Sequence, residues 1–233
     1  MSNLGLLTCR AGSTRLPGKN WRILDGMPLW QHCVKHMLAS TLIDRVMVAT
    51  DANEILDNMC EFPSVLTCRL PDACCIGSAD RFDGFRFAVN EAEERHGLII
   101  DYIVAPDATQ PINTDGMMDR AIRQFMHDRA DALMCVIERY PQYWLRHGDE
   151  FRSNWNAAVS RGCQEWITDG NPRLYSPKAT CCIYTTEYMR DPSVSTCSNI
   201  SMFEVSEIEG IDIDTLEDFE LAEAVLQYQR RKV

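Results

Sequence analysis

Cys9-Arg10-Ala11-Gly12-Ser13-Thr14-Arg15-Leu16-Pro17-Gly18-Lys19-Asn20 is the stretch whose reading decides the fold. It follows a short apolar run, Leu4-Gly5-Leu6-Leu7-Thr8, that reads as a first β-strand. A strand emptying into a loop with two glycines, two arginines and a lysine is a candidate anion cradle. Gly12 and Gly18 let the backbone turn tightly and bring its N–H groups close to a bound anion. Arg10 and Arg15 offer planar forks to phosphate, and Lys19 offers a mobile point charge. Pro17 restricts the loop, so less entropy is lost when a ligand orders it. The spacing is neither that of a Walker loop nor that of the GxGxxG dinucleotide turn. Read alone, the loop is an anion site or a solvated basic turn.

Outward from the loop, the chain alternates strands and helices. Pro28 opens a helical pattern through Leu29, Val34, Met37 and Leu38. Residues 45–51 read as a buried strand, with Asn53 capping a helix that runs to Met59. Residues 64–67 form a short strand, and 80–95 a helix with Phe82, Phe85, Ala88, Val89 and Ala92 as its core stripe. A strand over 98–105, a helix capped by Asp115 and running to His127, and strands over 132–137, 179–185 and 200–205 follow. Residues 215–229 close the chain as a helix. Such alternation predicts an α/β fold with a mostly parallel sheet covered on both faces, whose ligands collect at the carboxyl ends of the strands.

Composition narrows the function. The chain has 233 residues, enough for one α/β domain with an elaboration, and is 45% hydrophobic. Its net charge of −11, from 23 basic and 34 acidic side chains, argues against a nucleic-acid surface. No apolar run is long enough to cross a membrane, and Met1-Ser2-Asn3 leads directly into the first strand without a signal peptide. A cytoplasmic location is the expectation. Eleven cysteines are scattered without a CxxC pair, which suggests neither a zinc knuckle nor a redox dithiol motif. Cys33, Cys60, Cys135, Cys181 and Cys182 read as small buried hydrophobes in a reducing compartment. His32 and His36, four apart on a helix, read as part of a polar outer face rather than a metal pair.

A second cluster lies far from the first. In Ile211-Asp212-Ile213-Asp214-Thr215, residues two apart on an extended chain point the same way. Asp212 and Asp214 thus present two carboxylates while the isoleucines face the core. Like charges this close need a cation between them, and oxygen-only ligation suits Mg²⁺. The plainer alternative is that Asp214 caps the following helix.

The loop resembles the opening motif of the sugar cytidylyltransferases, Ala/Cys-Arg-x-Gly-Ser-x-Arg-Leu-Pro-Gly-Lys-Asn, which Cys9 to Asn20 follow nearly throughout. Asp212-Ile213-Asp214-Thr215 resembles the Asp-Ile-Asp-Thr element of the sialic-acid branch. The resemblance implies a Rossmann-like three-layer nucleotidyltransferase fold over residues 1–233, with 138–176 as an inserted dimerisation or lid segment. That segment concentrates Tyr140, Tyr143, Trp144, Trp155 and Trp166.

It further implies Mg²⁺-dependent transfer of CMP from CTP to a keto-deoxy sugar acid, with pyrophosphate released by a homodimer. Arg10, Lys19, Asp212 and Asp214 would be the catalytic set, the two aspartates holding the metal. Thr8, Cys9, Arg10, Ala11, Arg15, Lys19 and Asn20 would contact the nucleotide, joined by Arg69 and Ser78. Residues 78–81 resemble the Ser-Gly-Thr-Asp-Arg element of the Kdo branch, although Arg69 and this group also read as an ordinary turn and helix cap. Asp107, Thr109 and Gln110 would face the sugar.

Departures from the pattern bear on the acceptor. Asp107 stands where the sialic-acid branch has Gln, Asn113 where it has Arg, and Thr180-Cys181-Cys182 where it has Asn-Gly-Ala. Asp107 is open to two roles, metal or sugar. Two other readings share the opening loop: a nucleotidyltransferase of the spore-coat-polysaccharide type, and a non-catalytic nucleotide-sugar-binding protein.

Overall fold

The computed structural model describes residues 2–12, 15–76, 80–139, 144–153, 174–190 and 199–231. In chain order it contains β1 (Ser2–Cys9), a small hairpin of β2 (Ile23–Leu24) and β3 (Met27–Pro28), α1 (Leu29–Ala39) and β4 (Arg45–Thr50). Next come α2 (Asn53–Leu56), β5 (Leu66–Arg69), α3 (Arg81–His96), β6 (Ile100–Ala105), α4 (Met117–Asp128) and β7 (Ala132–Arg139). A second hairpin, β8 (Trp144–His147) and β9 (Glu150–Ser153), precedes β10 (Leu174–Thr185), α5 (Thr186–Arg190), β11 (Ile200–Glu204) and α6 (Leu216–Arg230).

Seven strands form the central sheet in the order β11-β7-β10-β6-β1-β4-β5. All neighbouring pairs are parallel except those of β10, which runs antiparallel to both β6 and β7. This is the α/β fold that the alternation of elements predicts. The strands are apolar on both faces because both are covered. Leu7, Cys9, Val46, Val48, Tyr102 and Val104 pack under α1 and α4. Their sequence neighbours Leu6, Met47, Ala49, Ile103 and Ala105 pack under α3. α6 closes a third cluster, in which Ile213, Phe219 and Ala222 meet Leu16, Leu24 and Ile112.

Helix ends follow local chemistry, with some departures from the reading above. Asp80 caps α3 by accepting from the Phe82 N–H, and Gly97 ends it at φ 64°. Thr215 and Asp218 close a reciprocal capping box on α6. Asp214 therefore does not cap that helix. Asn53 does not cap α2 either: Ala52 holds the cap position, and the Asn53 side-chain oxygen accepts from Arg69. α4 starts after Gly116 at φ 70° rather than after Asp115, because a left-handed turn there needs no Cβ.

The histidines of α1 are a clearer correction. His32 is buried and its Nε2–H donates to the Leu24 carbonyl at 2.9 Å, while that of His36 donates to the Pro111 carbonyl at 3.2 Å. The β2–β3 hairpin and the loop after β6 cover the face that the spacing leaves polar. Cys60 is exposed, whereas Cys33, Cys135, Cys181 and Cys182 are buried; every cysteine among the described residues is a free thiol. No helix among the described residues is long and apolar enough to cross a membrane. Most of segment 138–176 lies outside the described residues.

Candidate active site

A cavity of about 670 Å³ opens at the carboxyl ends of β1, β5 and β6, within the size range of small-ligand sites. The loop after β1 supplies one wall. Gly18 sits at φ 69°, a region that a β-carbon disfavours, and its carbonyl receives the Trp21 N–H at 3.2 Å. The turn buries Leu16 and Asn20 while carrying Lys19 inward. Ala11 N–H donates to Asp51 Oδ1 at 2.7 Å, and Arg10 Nη1 donates to the Ile76 carbonyl at 3.1 Å. These bonds fix the start of the loop against the ends of the neighbouring strands.

The opposite wall comes from the chain's distal segment. Ile213 N–H donates to the Thr109 carbonyl at 2.8 Å, and the Ile213 side chain is fully buried. That anchor turns the flanking Asp212 and Asp214 toward the cavity, as the alternation predicts. Lys19 Nζ lies 3.1 Å from Asp214 Oδ1 and 2.7 Å from the Ile213 carbonyl, while Arg15 Nη1 lies 2.6 Å from Asp214 Oδ2. At the end of β6, Asp107 accepts from the Thr109 N–H at 3.1 Å and faces Arg81 at 3.6 Å.

Thr8, Arg10, Arg15, Lys19 and Asn20 thus line one cavity with Asp107, Thr109, Asp212 and Asp214. Other expected residues are not brought to its wall. Cys9 is buried in the core. Ala11 spends its N–H on Asp51. Arg69 turns aside to the Asp51 carbonyl and Asn53. Gln110 is buried against the Thr180 hydroxyl at 2.8 Å. Ser78 lies outside the described residues.

The wall also holds residues that the sequence reading did not assign: Leu70, Cys74, Cys75, Arg81, Gly84 and Ala108. Gly84 carried a legible signal, since a glycine inside a helix costs about 1 kcal/mol relative to alanine and so marks an unusual position. Arg81 stacks its guanidinium over the Phe85 ring at 5.4 Å, which holds it at the cavity edge.

The charge pattern suits a polyanion bound with a divalent cation. Arg10, Arg15, Lys19 and Arg81 stand beside three carboxylates, so the cavity is charged without being strongly of one sign. Asp212 and Asp214 could offer Mg²⁺ two oxygen donors, with phosphate oxygens and water left to complete its shell. Among the described residues there is no group of three metal-ligating side chains, so protein atoms alone do not complete a closed metal cage. The Asn20 amide donates to the Arg10 carbonyl at 3.0 Å, while its buried oxygen meets no partner. An orphaned acceptor on a cavity wall fits a ligand with an N–H or O–H to offer.

Residues 4–104 match the family model described as cytidylyltransferase. The chain is 30% identical over 128 residues to the 3-deoxy-manno-octulosonate cytidylyltransferase of Pelobacter propionicus, covering 55% of this chain and 46% of that one. It is 44% identical over 57 residues to the CMP-N,N'-diacetyllegionaminic acid synthase of Legionella pneumophila, 24% and 25% of the two chains. The matched parts thus span about half or less of these relatives. Among solved structures, CMP:2-keto-3-deoxy-manno-octonic acid synthetase complexed with CTP superimposes with a TM-score of 0.71 at 16% identity, over 98% of this chain and 100% of that one. That likeness establishes the fold. Within residues 4–104 the chain thus resembles the cytidylyltransferases.

Proposed function

We propose that this protein transfers CMP from CTP to the anomeric hydroxyl of a keto-deoxy sugar acid, sialic-acid-like in class, and releases pyrophosphate. The observation that carries the reading is the meeting of the Arg10–Lys19 loop with the Asp212–Asp214 pair in one cavity. A bond forms between the sugar oxygen and the α-phosphorus, and the bond from that phosphorus to the bridging oxygen breaks. The hydroxyl proton is lost and pyrophosphate leaves in line. Such a transfer needs positioning and charge neutralisation more than covalent help.

Arg10, Arg15 and Lys19 hold the triphosphate, and Asn20 orients the nucleotide through its open acceptor. Asp212 and Asp214 hold Mg²⁺, which supplies charge neutralisation at the reacting phosphate when bound. The triphosphate competes with Asp214 for Arg15 and Lys19, releasing a carboxylate beside the metal position. Asp107 and Thr109, at the end of β6, face the acceptor. We assign the protein to the cytoplasm, where CTP is made and used, and to a homodimer. The dimer rests on the family resemblance of segment 138–176, and sedimentation of the purified chain tests it.

The reaction is tested by pyrophosphate release with Mg²⁺, each of the four nucleoside triphosphates being paired with a panel of keto-deoxy sugar acids. Release with CTP and one such acid is the expected result. Release only with a neutral sugar acceptor would move the protein to the spore-coat-polysaccharide type. Tight CTP binding with no release on any acceptor would favour a non-catalytic binder.

A further inference from the structure

The chain holds two pairs of adjacent cysteines, and the backbone treats them in opposite ways. Cys181 and Cys182 lie on β10, where neighbours point to opposite faces. Cys181 packs in the cluster under α1 and α4, Cys182 in the one under α3, and both are buried. No single atom can bridge that pair. Cys74, by contrast, ends a 3-10 turn over Asp72–Cys74, and Cys75 follows it at φ −107° and ψ −10°. Helical turns separate successive side chains by roughly 100–120° instead of 180°. Both thiols are partly exposed and both line the cavity.

The pair is also wired to the anion loop. Cys75 lies beside the Asp51 carboxylate, whose charge raises its thiol and whose Oδ1 accepts the Ala11 N–H at 2.7 Å. Arg10 reaches the carbonyl of the next residue, Ile76, at 3.1 Å.

We propose that Cys74 and Cys75 form a vicinal-dithiol site for trivalent, monosubstituted arsenic, and that its occupation shuts the neighbouring anion loop. Thiolate sulfur is the soft ligand that such a thiol-seeking centre prefers. In the step, two As–S bonds form and the As=O bond of the arsenoxide breaks. The two thiol protons leave with that oxygen as water, so nothing is oxidised or reduced. Burial raises the Cys74 thiol, and burial with the Asp51 charge pushes Cys75 up to about 11. Both are therefore protonated at neutral pH and slow toward alkylating reagents, which need thiolate. Ring closure consumes the Cys75 thiol proton next to the Asp51 charge and places an organoarsenic group in the cavity that Arg10 lines. The consequence for CTP rests on the function proposed above, whereas the adduct itself does not.

The test uses phenylarsine oxide on the whole chain, read by intact mass, by mapping the adduct, and by CTP titration. One adduct on the peptide carrying Cys74 and Cys75 is expected. It should be lost in Cys74→Ser and in Cys75→Ser, and be released by 2,3-dimercaptopropanol but not by a monothiol. Loaded protein should bind CTP at least tenfold more weakly. An adduct that persists in the double serine variant, or maps elsewhere, overturns the site. An adduct at Cys74 and Cys75 with unchanged CTP affinity overturns the coupling. If untreated protein binds no CTP while the adduct still forms there, the nucleotide reading fails and the dithiol site stands.

Discussion

Lys19 and Asp214, separated by 195 positions in sequence, meet at 3.1 Å between Nζ and Oδ1. The contact ties the loop after β1 to the extended segment before α6. Arg15 takes the other oxygen of Asp214 at 2.6 Å. One carboxylate therefore serves as counter-charge for two of the loop's cations until an anionic ligand displaces it. The Lys19 side chain is only 12% exposed while Arg15 is 69% exposed, so Lys19 carries more of the coupling.

Replacing Lys19 with Ala should weaken CTP binding by about 10- to 100-fold, the loss typical of truncating one partner of a partly buried charge pair. Arg15→Ala should cost less, because its guanidinium is exposed and screened by solvent. Calorimetric titration at one fixed ionic strength measures both. Equal losses for the two variants would contradict the asymmetry in burial.

Asp212→Asn and Asp214→Asn separate metal binding from loop bracing. Among the described residues no hydrogen bond or ion pair ties the Asp212 side chain to the loop, so Asp212→Asn should abolish Mg²⁺-dependent turnover with little change in Tm. Asp214→Asn should lose turnover and also lower Tm, since Lys19 and Arg15 then face a neutral amide. Wild-type Mg²⁺ dependence in Asp212→Asn would remove it from the metal site.

The strands were legible because buried parallel strands are short continuous apolar runs, as in Val46-Met47-Val48-Ala49. The carboxylate pair was legible for a related reason: Ile213 is buried and its neighbours must point away from it. Arg69 was not, because its competitor for the guanidinium, Asn53, lies 16 positions earlier on another element. Cys74 and Cys75 were missed because cysteine composition carries no direction; the backbone turn decides which wall they face. The histidines of α1 were misplaced because the small β2–β3 hairpin that covers them has two-residue strands and leaves no periodic trace.

Those histidines give the molecule a pH dependence. Burial lowers the pKa of His32, and burial together with the neighbouring His32 charge lowers that of His36. A lowered folded-state pKa means the unfolded chain binds more protons, so stability is fully present above 6.5 and falls as pH drops below it. Thermal denaturation should show Tm declining as pH is taken below 6.5. His36→Gln, which keeps an N–H for the Pro111 carbonyl, should flatten that decline. Parallel curves for the two proteins would dismiss the histidine as the cause.

Gly210 tests how the carboxylate segment is seated. A β-carbon there would collide with Ile137 Cδ1 and lie 3.2 Å from Lys178 Cε, so the turn after β11 packs directly onto β7 and β10. The neighbouring Glu209 carbonyl faces the Thr180 hydroxyl at 3.1 Å, which pins the same turn from the other side. Gly210→Ala forces this seat open, an overpacking cost of about 1–3 kcal/mol. In a chain of this size that corresponds to a fall in Tm of roughly 2–12 °C. The strain should pass along the two residues to Asp212 and lower turnover beyond what stability explains. Ile137→Val removes the clashing Cδ1, so the double variant should be more stable than the two single losses added together. Strict additivity would place the obstruction at Lys178 or in the backbone instead.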